Sequence, residues 1–263
     1  MMKKNNKYAV ITGASSGIGY ALSCQVAMRG YNVILVARDT DRLETVSNEL
    51  VANYGVGVIT LAYDLTCQSS IEQLMQALEP YIDQVEVFIN NAGVGLSGEF
   101  VGNSLSEQHR LLDINIKATV TLSHFIAKHF IAKKRGYIMN VASLAAFQPG
   151  PYYSSYYATK SYILHFTEGL AVELKKHNVI CSALCPGTTD TPFHHRAGST
   201  DTGLAKGLFG IVMSANEVAA AGVKGLFKKR VVVVPGMVNK IAMFSIRLAP
   251  RWLARQITAQ INQ

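Results

Sequence analysis

The chain alternates short runs rich in Val and Ile with longer segments of helical periodicity. The short runs cover residues 8–11, 32–37, 56–62, 85–90, 137–141, 179–184 and 231–234. Each is bounded by turn residues, which is typical of strands buried on both faces. The helical segments cover residues 18–29, 41–53, 69–78, 107–133, 157–176 and 215–228. This alternation predicts a doubly wound α/β fold of about seven parallel strands with helices on both faces.

Composition favours one compact unit. Of the 263 residues, 49% are hydrophobic and 16% are charged, which predicts a large core and argues against disorder. No repeat or low-complexity stretch divides the chain, so we expect residues 1–263 to form one domain. There is no apolar signal segment before the first strand and no run of about 18 apolar residues, so we expect a cytoplasmic protein. The four cysteines form no CxxC pair and are interpreted as reduced thiols.

A glycine-rich loop follows the first predicted strand and leads into a helix. It reads Thr12-Gly13-Ala14-Ser15-Ser16-Gly17-Ile18-Gly19. Glycines allow the backbone to approach phosphates, and a helix N-terminus offers free N–H groups and a favourable dipole. The loop therefore predicts a dinucleotide site that uses Gly13, Ser15, Ser16, Gly17, Ile18 and Gly19.

The end of the second predicted strand bears on the choice of cofactor. An acidic residue there usually accepts from the ribose hydroxyls of NAD, but this chain has Ala37 followed by Arg38. Arginine can pair with a 2′-phosphate, so NADP(H) is favoured over NAD(H). Asp39 complicates this prediction, unless it caps the helix that begins near Asp41 and points away.

Tyr156 and Lys160 are four residues apart in a predicted helix and share one face. A cation nearby favours a phenolate, so the pair could act as a general acid and base. Taken alone, this spacing is common and usually marks a surface helix. Ser143 after the fifth strand, the Asn-Asn-Ala-Gly segment after the fourth, and Asn115 in a helix add weight to the pair.

Together these motifs resemble the short-chain dehydrogenase/reductase family, in order and in spacing. The matching residues are Thr12, Gly13, Gly17, Gly19, Asp64, Asn90, Asn91, Ala92, Gly93, Asn115, Ser143, Tyr156, Lys160, Pro186 and Gly187. The resemblance implies a Rossmann-type oxidoreductase that interconverts a carbonyl and an alcohol by hydride transfer. Residues 153–192 and 234–239 also look like a bacterial subgroup whose substrate is uncharacterised.

The resemblance also implies roles for four catalytic residues. Tyr156 would exchange the proton with the substrate oxygen. Lys160 would lower the pKa of Tyr156 and bond the nicotinamide ribose, and Ser143 would orient the substrate oxygen. Asn115 would hold a water in a proton relay behind Lys160.

The implied cofactor contacts lie in the loops that follow the strands. Asp64 would contact the adenine, and Asn91 with its neighbours would line the adenosine ribose. Pro186, Gly187 and Thr191 would pack on the nicotinamide end. The implied set is completed by Arg38, Leu65, Ala92, Gly93 and Thr189, together with Tyr156 and Lys160.

Residues 188–214 follow the sixth strand and contain four glycines, which suits a lid over the substrate. An ordinary surface loop fits this composition nearly as well. Phe193, Leu204, Leu208 and Phe209 would give a lid an apolar underside and so suggest an apolar substrate. The adjacent histidines at 194 and 195 have no accompanying ligand pattern, so we expect no metal.

Residues 240–263 form a basic amphipathic segment. Such a segment can lie on an anionic membrane, contact a partner subunit, or cover the protein's own core. Packing or subunit contact is favoured here, and a homo-dimer or homo-tetramer is expected.

Two other classes of function compete with an enzyme acting on a small-molecule carbonyl or alcohol. A nucleotide-binding regulatory protein on the same fold would normally lack part of the catalytic set, whereas this chain keeps all of it. The hypothesis of a nucleic-acid-binding protein rests only on the net charge of +8, because the sequence contains no recognition motif for nucleic acid. We therefore expect no nucleic-acid partner.

Overall fold

Seven parallel strands form the central sheet. The computed structural model describes residues 6–198 and 211–262. The strands of this sheet are β1 (Tyr8–Thr12), β2 (Asn32–Ala37), β3 (Val58–Ala62), β4 (Val85–Asn90), β5 (Gly136–Val141), β6 (Val179–Leu184) and β9 (Val232–Val233). Their spatial order is β3-β2-β1-β4-β5-β6-β9, which confirms the predicted doubly wound fold. Two further short strands, β7 (Thr189–Asp190) and β8 (Met213–Ser214), pair with each other.

Helices cover both faces of this sheet. They are α1 (Gly17–Ala27), α2 (Thr40–Tyr54), α3 (Gln68–Leu78), α4 (Leu105–Leu112), α5 (Ala118–Lys133), α6 (Ser154–Lys175), α7 (Phe193–Arg196), α8 (Ala215–Phe227), α9 (Met237–Leu248) and α10 (Arg251–Asn262). Successive residues of β2 contribute to opposite cores: Val33 and Leu35 pack with α1, α2 and α8, whereas Ile34 and Val36 pack with α3 and α5. Because successive side chains of a strand point to opposite faces, both faces of β2 are buried.

The edge strand departs from the prediction. Val58, Ile59 and Leu61 of β3 are only partly buried, and Thr60 and Ala62 are exposed. The expectation of burial on both faces was wrong here because β3 has a single neighbouring strand, β2.

The long helix predicted over residues 107–133 is interrupted. A π-helical turn at Asp113–Lys117 separates α4 from α5. Such turns are rare and often lie at functional sites. Asn115 sits in this turn, and its contacts are described below.

The carboxyl ends of the strands determine where a ligand can bind. The chain order reverses on either side of β1, so the loops after β1 and β4 diverge and leave a crevice between them. The predicted lid, residues 188–214, is described only at its two ends, which β7 and β8 tie together. Gly203, Leu204, Gly207, Leu208, Phe209 and Gly210 lie outside the described residues.

The C-terminal helices α9 and α10 follow the last strand. Asn239, Ala254, Thr258 and Asn262 are buried, so one side of this segment packs on the protein as expected. In the described part of the chain, no helix combines the length and hydropathy that a membrane crossing requires.

Candidate active site

A cleft of about 590 Å³ lies at the carboxyl ends of the central strands. It brings together most of the residues that the sequence singled out. Among them are Gly13, Ser15, Ser16, Gly17, Ile18, Gly19, Arg38, Leu65, Asn91, Ala92, Gly93, Ser143, Tyr156, Lys160, Pro186, Gly187, Thr189 and Thr191. The glycine loop and the Tyr156–Lys160 pair therefore share one cavity, although more than 130 residues separate them in sequence.

Hydrogen bonds join the glycine loop to the loop after β4. The Thr12 hydroxyl oxygen accepts from the backbone N–H groups of Asn91 and Ala92, each at 3.0 Å. The Asn91 amide donates to the carbonyls of Thr12 at 2.9 Å and Gly13 at 3.1 Å. The Asn91 side chain thus holds the two loops in register, a task that its predicted contact with the ribose did not anticipate.

Two glycines of this loop have geometric reasons to be glycine. Gly13 has φ +64°, where other residues are strained, and a Cβ there would lie 2.9 Å from Ala92 Cα. A Cβ on Gly19 would overlap the Gly13 carbonyl oxygen. Helix α1 can therefore start directly against the loop, with its first N–H groups at the cleft. Unpaired N–H groups and the helix dipole at such a terminus suit a diphosphate.

Tyr156 and Lys160 lie on the buried side of α6. The Lys160 ammonium donates to the Val141 carbonyl at 2.9 Å and lies 5.8 Å from the centre of the Tyr156 ring. Tyr156 is only 7% exposed. The predicted spacing thus brings both side chains to one wall of the cleft.

Ser143 begins the turn after β5 and lies on the same wall. Its hydroxyl oxygen accepts from the Ala145 N–H at 3.1 Å, and the hydroxyl donates weakly to the Pro186 carbonyl at 3.5 Å. The side chain also hydrogen-bonds Tyr156, which lowers the pKa of that phenol.

Burial dominates the electrostatics of Tyr156 and Lys160. Burial raises the pKa of Tyr156 well above its ordinary value, and the hydrogen bond with Ser143 opposes this only in part. Burial also lowers the pKa of Lys160 to about 8. Desolvation of the phenolate thus sets the direction of the Tyr156 shift, and the lowering by Lys160 that the family resemblance implies stays a prediction.

Asn115 lies behind Lys160. Its amide donates to the Val94 carbonyl and to the Thr159 hydroxyl oxygen, and its own oxygen accepts from the Val94 N–H at 2.9 Å. A Cβ on Gly93 would lie 3.1 Å from the Asn115 oxygen and 3.4 Å from the Lys160 nitrogen. The side chain thus joins the π turn to the loop after β4 and to α6, beside the lysine. Its role in a proton relay stays a prediction.

Comparison with known proteins agrees with this geometry. The sequence profile of the family described as short chain dehydrogenase matches residues 7–202. The chain belongs to this family.

Relatives of this short-chain dehydrogenase include proteins with and without a named activity. An uncharacterized oxidoreductase of Staphylococcus saprophyticus is 31% identical over 79% of the chain and 88% of the relative. Mouse 17-beta-hydroxysteroid dehydrogenase type 3 is 32% identical over 73% of the chain and 63% of that protein. A short-chain dehydrogenase from Sphingobium yanoikuyae, solved in complex with NADPH, is 31% identical with a TM-score of 0.82, over 92% of this chain and 94% of that one.

Arg38 lies at one end of the cleft of this short-chain dehydrogenase. Its guanidinium is 3.8 Å from the Asp64 carboxylate, and both side chains are about half exposed, so the pair is weak. Asp39 caps α2 by accepting from the Arg42 N–H at 3.0 Å, which confirms the alternative in which it points away. Of the two charged residues that follow β2, Arg38 lines the cleft and Asp39 does not.

Asp64 is the one predicted cofactor residue that does not line the cleft, although its neighbour Leu65 does. Partial burial opposes ionisation of Asp64, but hydrogen bonds from Thr66 and the nearby Arg38 leave its pKa below the ordinary value. Its carboxylate accepts from the N–H and the hydroxyl of Thr66 at 3.0 and 2.9 Å. Asp64 thus shapes the loop after β3, and its contact with adenine stays a prediction.

At the other end, Pro186, Gly187, Thr189 and Thr191 form the wall, and their contact with the nicotinamide stays a prediction. A Cβ on Gly17 would lie 3.0 Å from the Thr191 methyl carbon, so this wall closes onto the glycine loop. Phe193 packs its ring 5.5 Å from that of Tyr156, on the apolar side that the sequence indicated.

The C-terminal helices complete the cleft, which sequence reasoning missed. Their lining residues are Asn239, Ile241, Ala242, Ser245, Ile246, Ile257 and Ile261. Helix α10 is held by the Tyr157 hydroxyl, which donates to the side-chain amide oxygen of Asn262 at 3.1 Å. The four-residue spacing of Ile257 and Ile261 was the available signal, but it did not indicate which surface they would face.

Proposed function

We propose that this short-chain dehydrogenase interconverts a carbonyl and an alcohol with NADP(H), using Tyr156 as the general acid and base. The observation that carries the proposal is the shared cavity. Ser143, Tyr156 and Lys160 lie on one wall, and the glycine loop at the start of α1 forms another part of the same cleft.

The chain's own residues orient the substrate and move the proton. When bound, the dinucleotide supplies or accepts the hydride. Because burial keeps the Tyr156 phenol protonated at neutral pH, it can donate its proton to the oxygen of a carbonyl undergoing reduction. Ser143 orients that oxygen by hydrogen bonding. Lys160, whose pKa is about 8, lies beside the phenol and can restore its proton after each turnover.

NADP(H) is the proposed cofactor because a weakly paired cation, Arg38, lines the cleft at the end of β2. The Arg38–Asp64 pair is long and half exposed, so the guanidinium can turn to a 2′-phosphate at little cost. The Sphingobium yanoikuyae relative was solved with NADPH, which supports the same choice.

A bulky apolar carbonyl or alcohol is the proposed substrate class. The cleft that contains Tyr156 is lined mostly by apolar side chains. These side chains include Val94, Ile114, Leu144, Phe193, Ile246, Ile257 and Ile261. The relative named for hydroxysteroid oxidation supports this class.

The test is a carbonyl panel assayed with NADPH and with NADH. The panel contains ketosteroids, aromatic ketones, small ketones and sugars. We expect NADPH oxidation with the bulky apolar members. Tyr156→Phe should abolish turnover while NADPH still binds, whereas Tyr153→Phe, which alters a buried phenol outside the cleft, should keep it.

Two results would count against the proposal. Undiminished turnover by Tyr156→Phe would exclude this tyrosine as the proton donor. Tight NADPH binding without turnover of any panel member would favour the alternative, a nucleotide-binding regulatory protein on the same fold.

A further inference from the structure

Helix α9 leaves an apolar stripe in solvent. Met237, Ile241, Phe244 and Leu248 follow spacings of four, three and four residues, which places them on one face of the helix. They are 67%, 60%, 61% and 72% exposed. Four large apolar side chains side by side in water form the kind of patch that marks a binding surface.

Basic residues border this stripe. Between residues 237 and 262 the chain has four cations and no Asp or Glu; the cations are Lys240, Arg247, Arg251 and Arg255. All four are exposed, and none of the ion pairs found among the described residues involves them.

The three arginines converge on one groove. This groove, of about 740 Å³, runs between the C-terminal helices and α6, and Arg247 lies 5.8 Å from the centre of the Phe147 ring. The described residues that line the groove include one carboxylate, that of Glu168. Three guanidinium groups therefore lie around one negative charge. The groove therefore attracts anions.

The stripe also adjoins the mouth of the cleft. Ile241 belongs both to the exposed stripe and to the cleft lining, and Ile257 of α10 is 47% exposed while lining the same cleft. Trp252, the single tryptophan of the chain, is 56% exposed at the start of α10. The apolar stripe thus reaches the cleft through Ile241, and the exposed cations and Trp252 lie on the same two helices.

We propose that α9 and the start of α10 dock on an anionic lipid bilayer. The stripe would enter the boundary between headgroups and acyl chains while the cations pair with lipid phosphates. A second copy of this chain fits the charges poorly, because a two-fold contact through this face would bring two sets of four cations together. An apolar substrate dissolved in the bilayer could then reach the cleft without crossing water.

The test is co-sedimentation of the full chain with vesicles of equimolar phosphatidylcholine and phosphatidylglycerol, with pure phosphatidylcholine as reference. We expect binding to the anionic vesicles that weakens as salt is added. The emission of Trp252 should shift to the blue on binding, since no other tryptophan contributes to the signal. The lipid-dependent shift reports on this face independently of any enzymatic turnover.

Two variants separate the apolar and the ionic contributions. Phe244→Ser/Leu248→Ser should weaken vesicle binding at least tenfold and leave NADPH binding unchanged, because neither residue lines the cleft. Arg247→Gln/Arg251→Gln/Arg255→Gln should weaken it by about 100-fold, given the attraction of each basic residue to an anionic surface. The matched control is Lys228→Gln/Lys229→Gln/Arg230→Gln, which removes three exposed charges after α8 and should bind like the wild type.

Three results would overturn the proposal. The first is a wild-type chain that does not sediment with anionic vesicles. The second is equal binding by the wild type and both α9–α10 variants. The third is a blue shift of Trp252 that depends on protein concentration and not on lipid, together with a smaller particle in sedimentation velocity for the serine variant. That last result would assign the face to contact between copies.

Discussion

The ammonium of Lys160 donates a 2.9 Å hydrogen bond to the backbone carbonyl of Val141, at the end of β5. This bond joins α6 to the central sheet and places a cation in a buried position next to Tyr156. Because one carbonyl does not replace full hydration, burial lowers the pKa of Lys160 to about 8. The lysine therefore titrates within a pH range that experiments can reach.

We predict that Lys160→Met changes how stability depends on pH. The unfolded lysine keeps its proton up to a pKa near 10.5, whereas the folded one loses it near 8. Between these values the unfolded state binds more protons, so this residue makes stability rise with pH. From below pH 8 to above 10.5, the free energy of unfolding of the wild type should gain roughly 3 kcal/mol relative to that of the variant.

Urea unfolding of both proteins across this pH range is the measurement, and shifts from groups that do not interact with Lys160 cancel in the difference. Lys175→Met, at the exposed end of α6, serves as the control and should run parallel to the wild type. Parallel curves for the wild type and Lys160→Met would show that the buried ammonium is not titrating.

Ser143→Ala should move the pH profile of alcohol oxidation. Oxidation needs Tyr156 without its proton, so its rate rises with pH through the pKa of that phenol. The Ser143 hydroxyl lowers this pKa, and its loss should shift the rising limb to higher pH. The kcat at neutral pH should also fall, by roughly 100-fold, since a positioned hydrogen-bond donor is lost. If kcat falls but the rising limb of the pH profile stays in place, Ser143 only orients the substrate. Ser143→Thr keeps a hydroxyl and should return the limb to its wild-type pH.

Arg38→Gln should raise the KM for NADPH by about 10-fold to 100-fold, because a charged hydrogen bond to the 2′-phosphate is lost. The KM for NADH should stay within a factor of about two, since that cofactor lacks the phosphate. Arg42→Gln is the matched control. It removes a charge one turn along α2, where Arg42 lies 3.6 Å from Asp39 and does not line the cleft. Equal effects of Arg38→Gln on both cofactors would argue against a phosphate contact.

Local patterns in the sequence predicted most of the sheet and much of the site. A strand buried on both faces is apolar at most positions, so runs such as residues 33–37 of β2 are visible without knowledge of their neighbours. The same reasoning failed at β3, because its place at the edge of the sheet depends on the strand order and not on its own residues. The Tyr156–Lys160 pair was visible because helical spacing alone puts both on one face.

Other features depend on contacts that are distant in sequence. The π turn at Asn115 forms where the amide meets Val94 and Thr159, which lie 21 and 44 residues away. The part that α10 plays in the cleft follows from the bond between Tyr157 and Asn262, which are 105 residues apart. No local pattern contains such pairings.

Gly19→Ala should abolish dinucleotide binding while leaving the sheet folded. The added methyl would overlap the Gly13 carbonyl oxygen, and α1 could accommodate it only by moving off the loop. We expect the Kd for NADPH to rise at least 100-fold, because the N-terminus of α1 would no longer face the phosphates. Calorimetric titration measures the Kd, and far-ultraviolet circular dichroism monitors the fold. Gly30→Ala is the control. Gly30 follows α1 and has φ +80°, so alanine there is strained, but its Cβ would have no atom within 4 Å. This variant should bind NADPH normally, which would show that the clash at Gly19 causes the loss of binding.

Removing the hydroxyl of Tyr153, which directly precedes α6, and that of Tyr157, near the start of α6, should change stability in opposite directions. Tyr153 is 1% exposed, and its hydroxyl has no hydrogen-bond partner among the described residues. A buried polar group without a partner costs stability, so Tyr153→Phe should raise the free energy of unfolding by about 1 kcal/mol. The Tyr157 hydroxyl bonds Asn262 at 3.1 Å, so Tyr157→Phe should lower it by about 1 kcal/mol. Urea unfolding at one pH compares the two, and a loss of stability in Tyr153→Phe would show that its hydroxyl has a partner in solution.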